Sequence, residues 1–232
     1  MKSYNISKER AIIELLRSEF PEMKGLTEGE VFQMAKITNG DSSYKFGLVG
    51  PTDYSKLPEL LINDKNLFVC TALRMVLVKQ AAAKPMAITP YGYPNKEEFG
   101  ANYNDLEVFF NGLMTFRVNT DVVFEDLRTS CFRHVPEQIR QAAVASVSAE
   151  RVHDSYSARQ GSKDLDAPVV INGNNTNTLE INIRSSAGLS IQGPGSGVEH
   201  YVGVQLFGVT LPGAAREHYD RARAALRLLY TK

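Results

Sequence analysis

Residues 177–185 read NTLEINIRS, and the alternation is strict: Leu179, Ile181 and Ile183 fall on one side, Glu180, Asn182 and Arg184 on the other. A period of two puts one set on each face of an extended chain, which describes a half-buried antiparallel strand. The same language recurs. VFQMAKIT (31–38), YKFGLVG (44–50), LFVCTALRMVLVKQ (67–80), LMTFRVN (113–119), VVFEDL (122–127), CFRHVP (131–136), APVVING (167–173), GLSIQG (188–193) and EHYVGVQLFGVTL (199–211) all read as strands. Clusters of Gly, Asn, Asp, Ser and Pro separate them. About nine to eleven short strands at roughly 8–12-residue spacing predict a mainly β chain, an antiparallel sandwich or jelly roll.

Some segments leave alternatives open. In the run 67–80, Leu67, Val69, Thr71, Leu73, Met75 and Leu77 share one phase, which predicts a long strand buried in part on both faces; a core helix is the other reading. Residues 51–65 read as loop with one helical turn around LPELLIN, and 81–104 mostly as loop. The corner 105-DLEVFFNGLMTFRVN-119 admits two structures. A three-residue hairpin loop, Phe110-Asn111-Gly112, would put Gly112 in a left-handed bulge position. A helix capped by Asn104 or Asp105 would keep Phe109 and Phe110 together on the core side and stop at Asn111-Gly112; it is the favoured reading. Residues 137–167, rich in Ala, Ser, Gln and Arg, are expected to form an exposed insertion.

Both ends read as helices. Ser7 suits an N-cap, Ile12, Leu15, Leu16 and Phe20 recur at helical spacing, and Pro21 stops the run. The chain closes on GAAREHYDRARAALRLLYTK (213–232). There Ala215, Tyr219, Ala222, Leu226 and Leu229 make a narrow apolar seam among Arg216, Arg221, Arg223 and Arg227. The organisation is thus an N-terminal helical arm (1–29), a β body (30–211) and a basic amphipathic helix (212–232). One domain is expected, because the part after the insertion is too short to hold a core of its own.

Composition limits the chemistry. Lys plus Arg and Asp plus Glu balance at 26 each, so no dominant positive field points to nucleic-acid binding as the main task. Cys70 and Cys131 form no CxxC pair and are expected to be free buried thiols. The N-terminal segment lacks a signal-peptide core, and no apolar run approaches the ~20 residues of a membrane span. The four histidines, His134, His153, His200 and His218, stand at no metal-ligand spacing. GPGSG (193–197) lacks the Lys-Ser/Thr ending of a phosphate loop and precedes a strand, so a turn is expected. DLDAP (164–168) and NGD (39–41) read as plain turns rather than calcium loops. Tyr91, Tyr93 and Phe99 are either a platform for stacking on a sugar or anchors for their loop. No cofactor, metal or catalytic residue is predicted.

The order YPN…F…LEVFFNG-L-F-V, then CFRHVP, NTLEINI and YVGVQLFG, resembles structural proteins of small tailless bacteriophages with jelly-roll capsids, over about residues 60–210. The resemblance implies a virion subunit, assembled in the host cytoplasm, whose sheets stand in a shell. Its loops and termini would contact copies of itself, as a trimer or higher, and other virion proteins. Such capsid families have no catalytic residues to carry over. They more often carry two jelly rolls per subunit, so a single or a compact double roll is open here. The residues expected at subunit contacts or on an inner surface are Leu15, Leu16, Phe20, Tyr219, Arg223, Leu226 and Arg227. The arginine face would make weak contact with nucleic acid or membrane. Deleting residues 213–232 should then leave a folded, assembly-defective protein. The competing expectation is a lectin-like or adhesin-like binding sandwich using Tyr91 and Tyr93.

Overall fold

A computed structural model describes residues 6–23, 25–50, 60–81, 83–135, 138–141, 151–154, 160–173, 176–183, 198–213 and 216–230. The chain is mainly β. The strands are β1 (Thr27–Lys36), β2 (Ser43–Gly47), β3 (Leu67–Ala81), β4 (Lys84–Tyr91), β5 (Leu113–Val118), β6 (Asp121–Arg128), β7 (Gln138–Gln141), β8 (Arg151–Asp154), β9 (Lys163–Asn172), β10 (Asn177–Asn182) and β11 (Val198–Leu211). Helix α1 (Ile6–Glu19) precedes β1, α2 (Lys96–Phe99) and α3 (Tyr103–Leu106) lie between β4 and β5, and α4 (Arg216–Tyr230) follows β11.

Two antiparallel sheets carry the fold. One runs β1-β11-β3, with β9 along the first half of β3 and β4 along the second; the other runs β2-β10-β5-β6. The pairings nest: β1 with β11, β2 with β10, β3 with β9, β5 with β6, every one antiparallel. The two sheets share one core. Val31, Leu73, Met75, Leu77, Val202 and Leu206 of the first meet Tyr44, Phe46, Met114, Phe116, Leu179 and Ile181 of the second. Each such side chain contributes roughly 1.5–3 kcal/mol on full burial. The outward residues of the second sheet, Ser43, Lys45, Thr178 and Arg117, are exposed, which accounts for the alternation in NTLEINI.

The first sheet is covered on its back as well. Ile12 and Leu16 of α1, Phe20 just after it, and Ala222 and Leu226 of α4 pack with Leu67, Val69, Val170, Val209 and Leu211. A second back-face cluster joins Phe32, Met34, Val76 and Val78. Between the two lies a polar chain in which Arg74 Nε donates to Gln205 Oε1 and Gln205 Nε2 donates to Glu30 Oε1. Covering both faces explains why β3 and β11 read as continuous apolar runs. The strand reading of 67–80 therefore holds, and the core-helix alternative does not.

Several expectations are corrected. Ser7 lies inside α1 and is not its N-cap. Residues 81–104 are not mostly loop: β4 doubles back on β3, and its Pro85 and Pro90 are tolerated because an edge strand has N–H groups to spare. CFRHVP is not a strand. Thr129–Phe132 forms a 3-10 turn, tied down by Thr129 Oγ1, which donates to the carbonyls of Phe109 and Gly112. The insertion holds the two-stranded pair β7–β8 and ends earlier than expected, since β9 begins at Lys163. Cys70 is buried, its thiol pKa pushed up by desolvation, but Cys131 is exposed. GLSIQG, GPGSG, Ala215 and the first part of LPELLIN lie outside the described residues.

The corner before β5 is helical. Asn95, not Asn104 or Asp105, supplies the cap: its side chain accepts from Glu98 N at 2.6 Å. Short helical turns follow without a break through Asn111, burying Phe99, Leu106, Phe109 and Phe110. Gly112 is extended, at φ −81°, so no left-handed hairpin bulge exists. Glycine is needed there for space, because a Cβ would come within 2.8 Å of the Asn182 carbonyl oxygen.

One open side of the pair of sheets is stitched shut. Leu60 exchanges backbone hydrogen bonds with Phe32 on the edge of β1, and Ile62 N donates to Leu48 O just beyond β2. That bridge blunts two strand edges at once.

Candidate functional site at the open side of the sheets

The opposite side is not stitched. There β6 and β9, the last strands of their sheets, face each other across a groove of about 750 Å³, with α4 along it. Both strands are irregular for visible reasons. Asp126 takes a left-handed conformation (φ 55°), and the register of β6 on β5 slips twice nearby. Along β9 the pairing with β3 jumps between Val169 and Asp164, so Leu165–Pro168 stands off the ladder, and Pro168 brings no N–H. Bulges and a proline on edge strands discourage long ladders with other chains.

The floor of the groove is apolar, from Val118, Phe124, Leu127, Leu165 and Val169; Phe116 and Phe124 pack edge to face at 5.8 Å. Its rim is charged. Asp121, Asp164 and Asp166 come from the strands with Lys163, and Arg223 and Arg227 from α4. Arg223 is paired with Asp121, which fixes α4 to the start of β6. Tyr219 also lines the groove, and burial raises its hydroxyl pKa.

The residues predicted for subunit contact divide. Tyr219, Arg223, Leu226 and Arg227 come together on this groove. Leu15, Leu16 and Phe20 do not: Leu16 and Phe20 are 0% exposed on the far side of α4, and Leu15 packs beside them within the chain's own core. The apolar surface of Leu16 and Phe20 is not available to a neighbour, whereas Leu15 is only partly covered. The arginine face is also partly used up. The Arg221 guanidinium lies 4.7 Å over the Phe20 ring, donates to Glu19 O, and stands 3.6 Å from Glu22, joining α4 to the end of α1. Missing from the sequence reading were Asp121, Val122, Asp164 and Asp166. For Asp164 and Asp166 the signal was DLDAP, an acidic, proline-ended interruption at the start of a strand; Asp121 and Val122 carried none beyond the strand pattern of VVFEDL.

A second cluster lies elsewhere, where β3, β4, β11 and α2 meet. Lys79 Nζ donates to Glu98 Oε2 at 2.9 Å, and Tyr91 hydrogen-bonds the same carboxylate, which holds the Glu98 pKa below its ordinary value; burial first, and then the bond to Glu98, pushes the Tyr91 hydroxyl well above its own. Phe99 is buried edge-on to Tyr91 at 5.2 Å and to His200 at 5.3 Å. These rings are anchors for the α2 segment rather than a free stacking platform.

His200, 6% exposed, has its pKa lowered, first by desolvation and then by Lys79. The folded state therefore prefers neutral imidazole, while the unfolded chain binds the proton near the ordinary value. Stability should fall as pH drops through roughly 6.5, and keep falling toward the depressed folded value. Urea midpoints measured from about pH 7.5 to 5.5 should show this slope, and His200→Gln should flatten it. An unchanged slope in that variant would mean that another group is responsible.

Among the described residues no helix is long and apolar enough to cross a membrane, and no group of three or more His, Cys, Asp or Glu is placed to hold a metal ion. No family model, curated protein or solved structure matches this chain.

Proposed function

We propose that this chain is a structural virion protein: a jelly-roll subunit that assembles with copies of itself into the shell of a small tailless bacteriophage. The observation that carries the reading is the nested strand pairing. A jelly roll is a long antiparallel ribbon rolled up, so that first pairs with last, second with second-last, and so inward, distributed over two sheets. The pairs β1·β11, β2·β10, β3·β9 and β5·β6 follow that rule, and β4, β7 and β8 are additions to it. Among the described residues these eight strands are the count of one roll, which supports a single roll over a compact double one.

Jelly rolls also serve lectins and cupins, so the fold alone does not choose a function. The shell reading draws further support from what the groove offers, an apolar floor and a two-signed rim on a side of the molecule left unstitched. Against the lectin-like alternative stands the packing of Phe99 and Tyr91 against each other and Glu98. Two arginines of that helix, Arg221 and Arg223, are engaged within the chain by Glu19, Glu22 and Asp121, which weakens the reading of its arginine face as a contact for nucleic acid or membrane.

Size-exclusion chromatography with light scattering, followed by negative-stain microscopy, tests the proposal. The expected result is a concentration-dependent trimer or larger species, and regular particles or sheets. A protein that stays monomeric at every concentration, with glycan-array hits lost in Tyr91→Ala or Tyr93→Ala, would replace this reading with the lectin-like one.

A further inference from the structure

Asparagine is followed by glycine at 39–40, 111–112 and 172–173. The dipeptide has a chemistry of its own. With no side chain on the glycine, its backbone nitrogen has an open path to the side-chain carbonyl carbon of the asparagine. The fold treats these pairs differently. Asn39-Gly40, the start of NGD, is the tip of the turn between β1 and β2. Every residue from Thr38 to Ser43 is exposed there. Gly40 is left-handed (φ 89°), and nothing lies within 4 Å of a Cβ built on it. Asp41 N donates to Thr38 O at 3.3 Å, which closes a β-turn around the pair. That bond uses the amide after the glycine and leaves Gly40 N outside the turn's hydrogen bond.

The other pairs are locked. Asn111 Nδ2 donates to Glu107 O at 3.1 Å, and Gly112 is buried with its backbone against the Asn182 carbonyl. Asn172 is 1% exposed, Gly173 N donates to Asn66 O at 3.1 Å, and a Cβ on Gly173 would clash with the Asn63 carbonyl oxygen. Neither pair can rearrange without local opening of the structure.

We infer that Asn39 is a site of spontaneous covalent modification, the position at which the folded protein deamidates. Gly40 N attacks Asn39 Cγ. A new C–N bond forms, the side-chain amide C–N bond breaks, and ammonia leaves with the proton given up by Gly40 N. Solvent water then opens the succinimide. Addition at one carbonyl gives aspartate; addition at the other gives isoaspartate, in which the main chain runs through the former side chain. Either product adds a negative charge to a chain whose basic and acidic residues balance at 26 each, and so lowers its isoelectric point. The flanks of the turn are anchored: Ile37 N donates to His200 O and Ile183 N to Ser42 O, each at 2.9 Å. The change is therefore confined to the turn, and the modified protein stays folded. Nothing in this chemistry depends on assembly.

The test ages the full folded chain at 37 °C in neutral and in mildly alkaline buffer. Ion exchange separates the products, peptide mapping by mass spectrometry places them, and enzymatic methylation detects isoaspartate. The expected result is an acidic species that accumulates faster in the alkaline buffer and maps to Asn39. It should form there at least about tenfold faster than at Asn111 or Asn172, which must first open locally. Asn39→Gln should fold normally and lose that species, because the longer glutamine side chain closes the ring far more slowly. In urea the rates at the three asparagines should converge. An aged protein with Asn39 intact, or equal rates at all three while it is folded, would overturn the inference. A preference for Asn39 that persists unchanged in urea would trace the effect to neighbouring residues in the sequence and remove its structural cause.

Discussion

Gly208→Ala should be among the most damaging single substitutions in this protein, costing about 3 kcal/mol or more and leaving little folded material at 37 °C. Gly208 sits in β11 where its register on β3 shifts, opposite Cys70. A Cβ there would lie 1.9 Å from the Val69 carbonyl oxygen, 2.8 Å from its carbon and 3.1 Å from Cys70 Cα. All three are backbone atoms of β3, which is held by β11 on one side and β9 on the other, so the strand has no room to retreat. The requirement is for space, not for an unusual dihedral angle. Gly47→Ala is the matched control: no atom lies within 4 Å of a Cβ added at that strand position, and the change should stay within about 0.5 kcal/mol. Urea unfolding of both variants decides the matter. If Gly208→Ala unfolds at the wild-type midpoint, the register of β11 on β3 cannot be the one described.

That glycine also illustrates what a sequence of this kind reveals. The β character was legible wherever one face of a strand meets water, as in NTLEINI, because burial then writes a period of two. It was ambiguous in LFVCTALRMVLVKQ, where α1 and α4 cover the back of the sheet and erase the polar phase. The corner at DLEVFFNG was legible in kind but not in its start, because the residue that caps it, Asn95, lies well upstream in a segment that reads as loop. Strand β4 was invisible for a related reason: prolines demote a segment from a sheet interior but not from an edge. The candidate site was half legible. An amphipathic basic helix marks itself by spacing, so Tyr219, Arg223, Leu226 and Arg227 could be named. The strand walls opposite depend on long-range pairing, β9 on β3 and β6 on β5, which no local pattern encodes. Nor does local pattern say whether an apolar stripe docks on its own chain or on a neighbour. For Leu16 and Phe20 the chain itself supplies the partner.

The same point changes the expected outcome of removing residues 213–232. The sequence suggested a folded protein that fails to assemble; the packing predicts one that no longer folds cooperatively. Helix α4 buries Ala222 and Leu226 against Val170, Val209 and Leu211, and α1 and the residue after it pack with α4 through Ile12, Leu16 and Phe20. Taking α4 away uncovers this layer and leaves α1 with half its seat. Each aliphatic side chain returned to water costs roughly 1.5–3 kcal/mol, and a domain of this size holds only about 5–15 kcal/mol in reserve. Loss of a few such burials exhausts the margin. The truncated chain should therefore show no sharp thermal transition by circular dichroism and should bind a hydrophobic dye. A truncated chain that melts as sharply as the full one would return α4 to the role of a detachable arm. The stripe of α4 at Ala222 and Leu226 belongs to the interior of its own subunit. A deletion uncovers that interior and so says nothing about assembly; only substitutions of exposed side chains do.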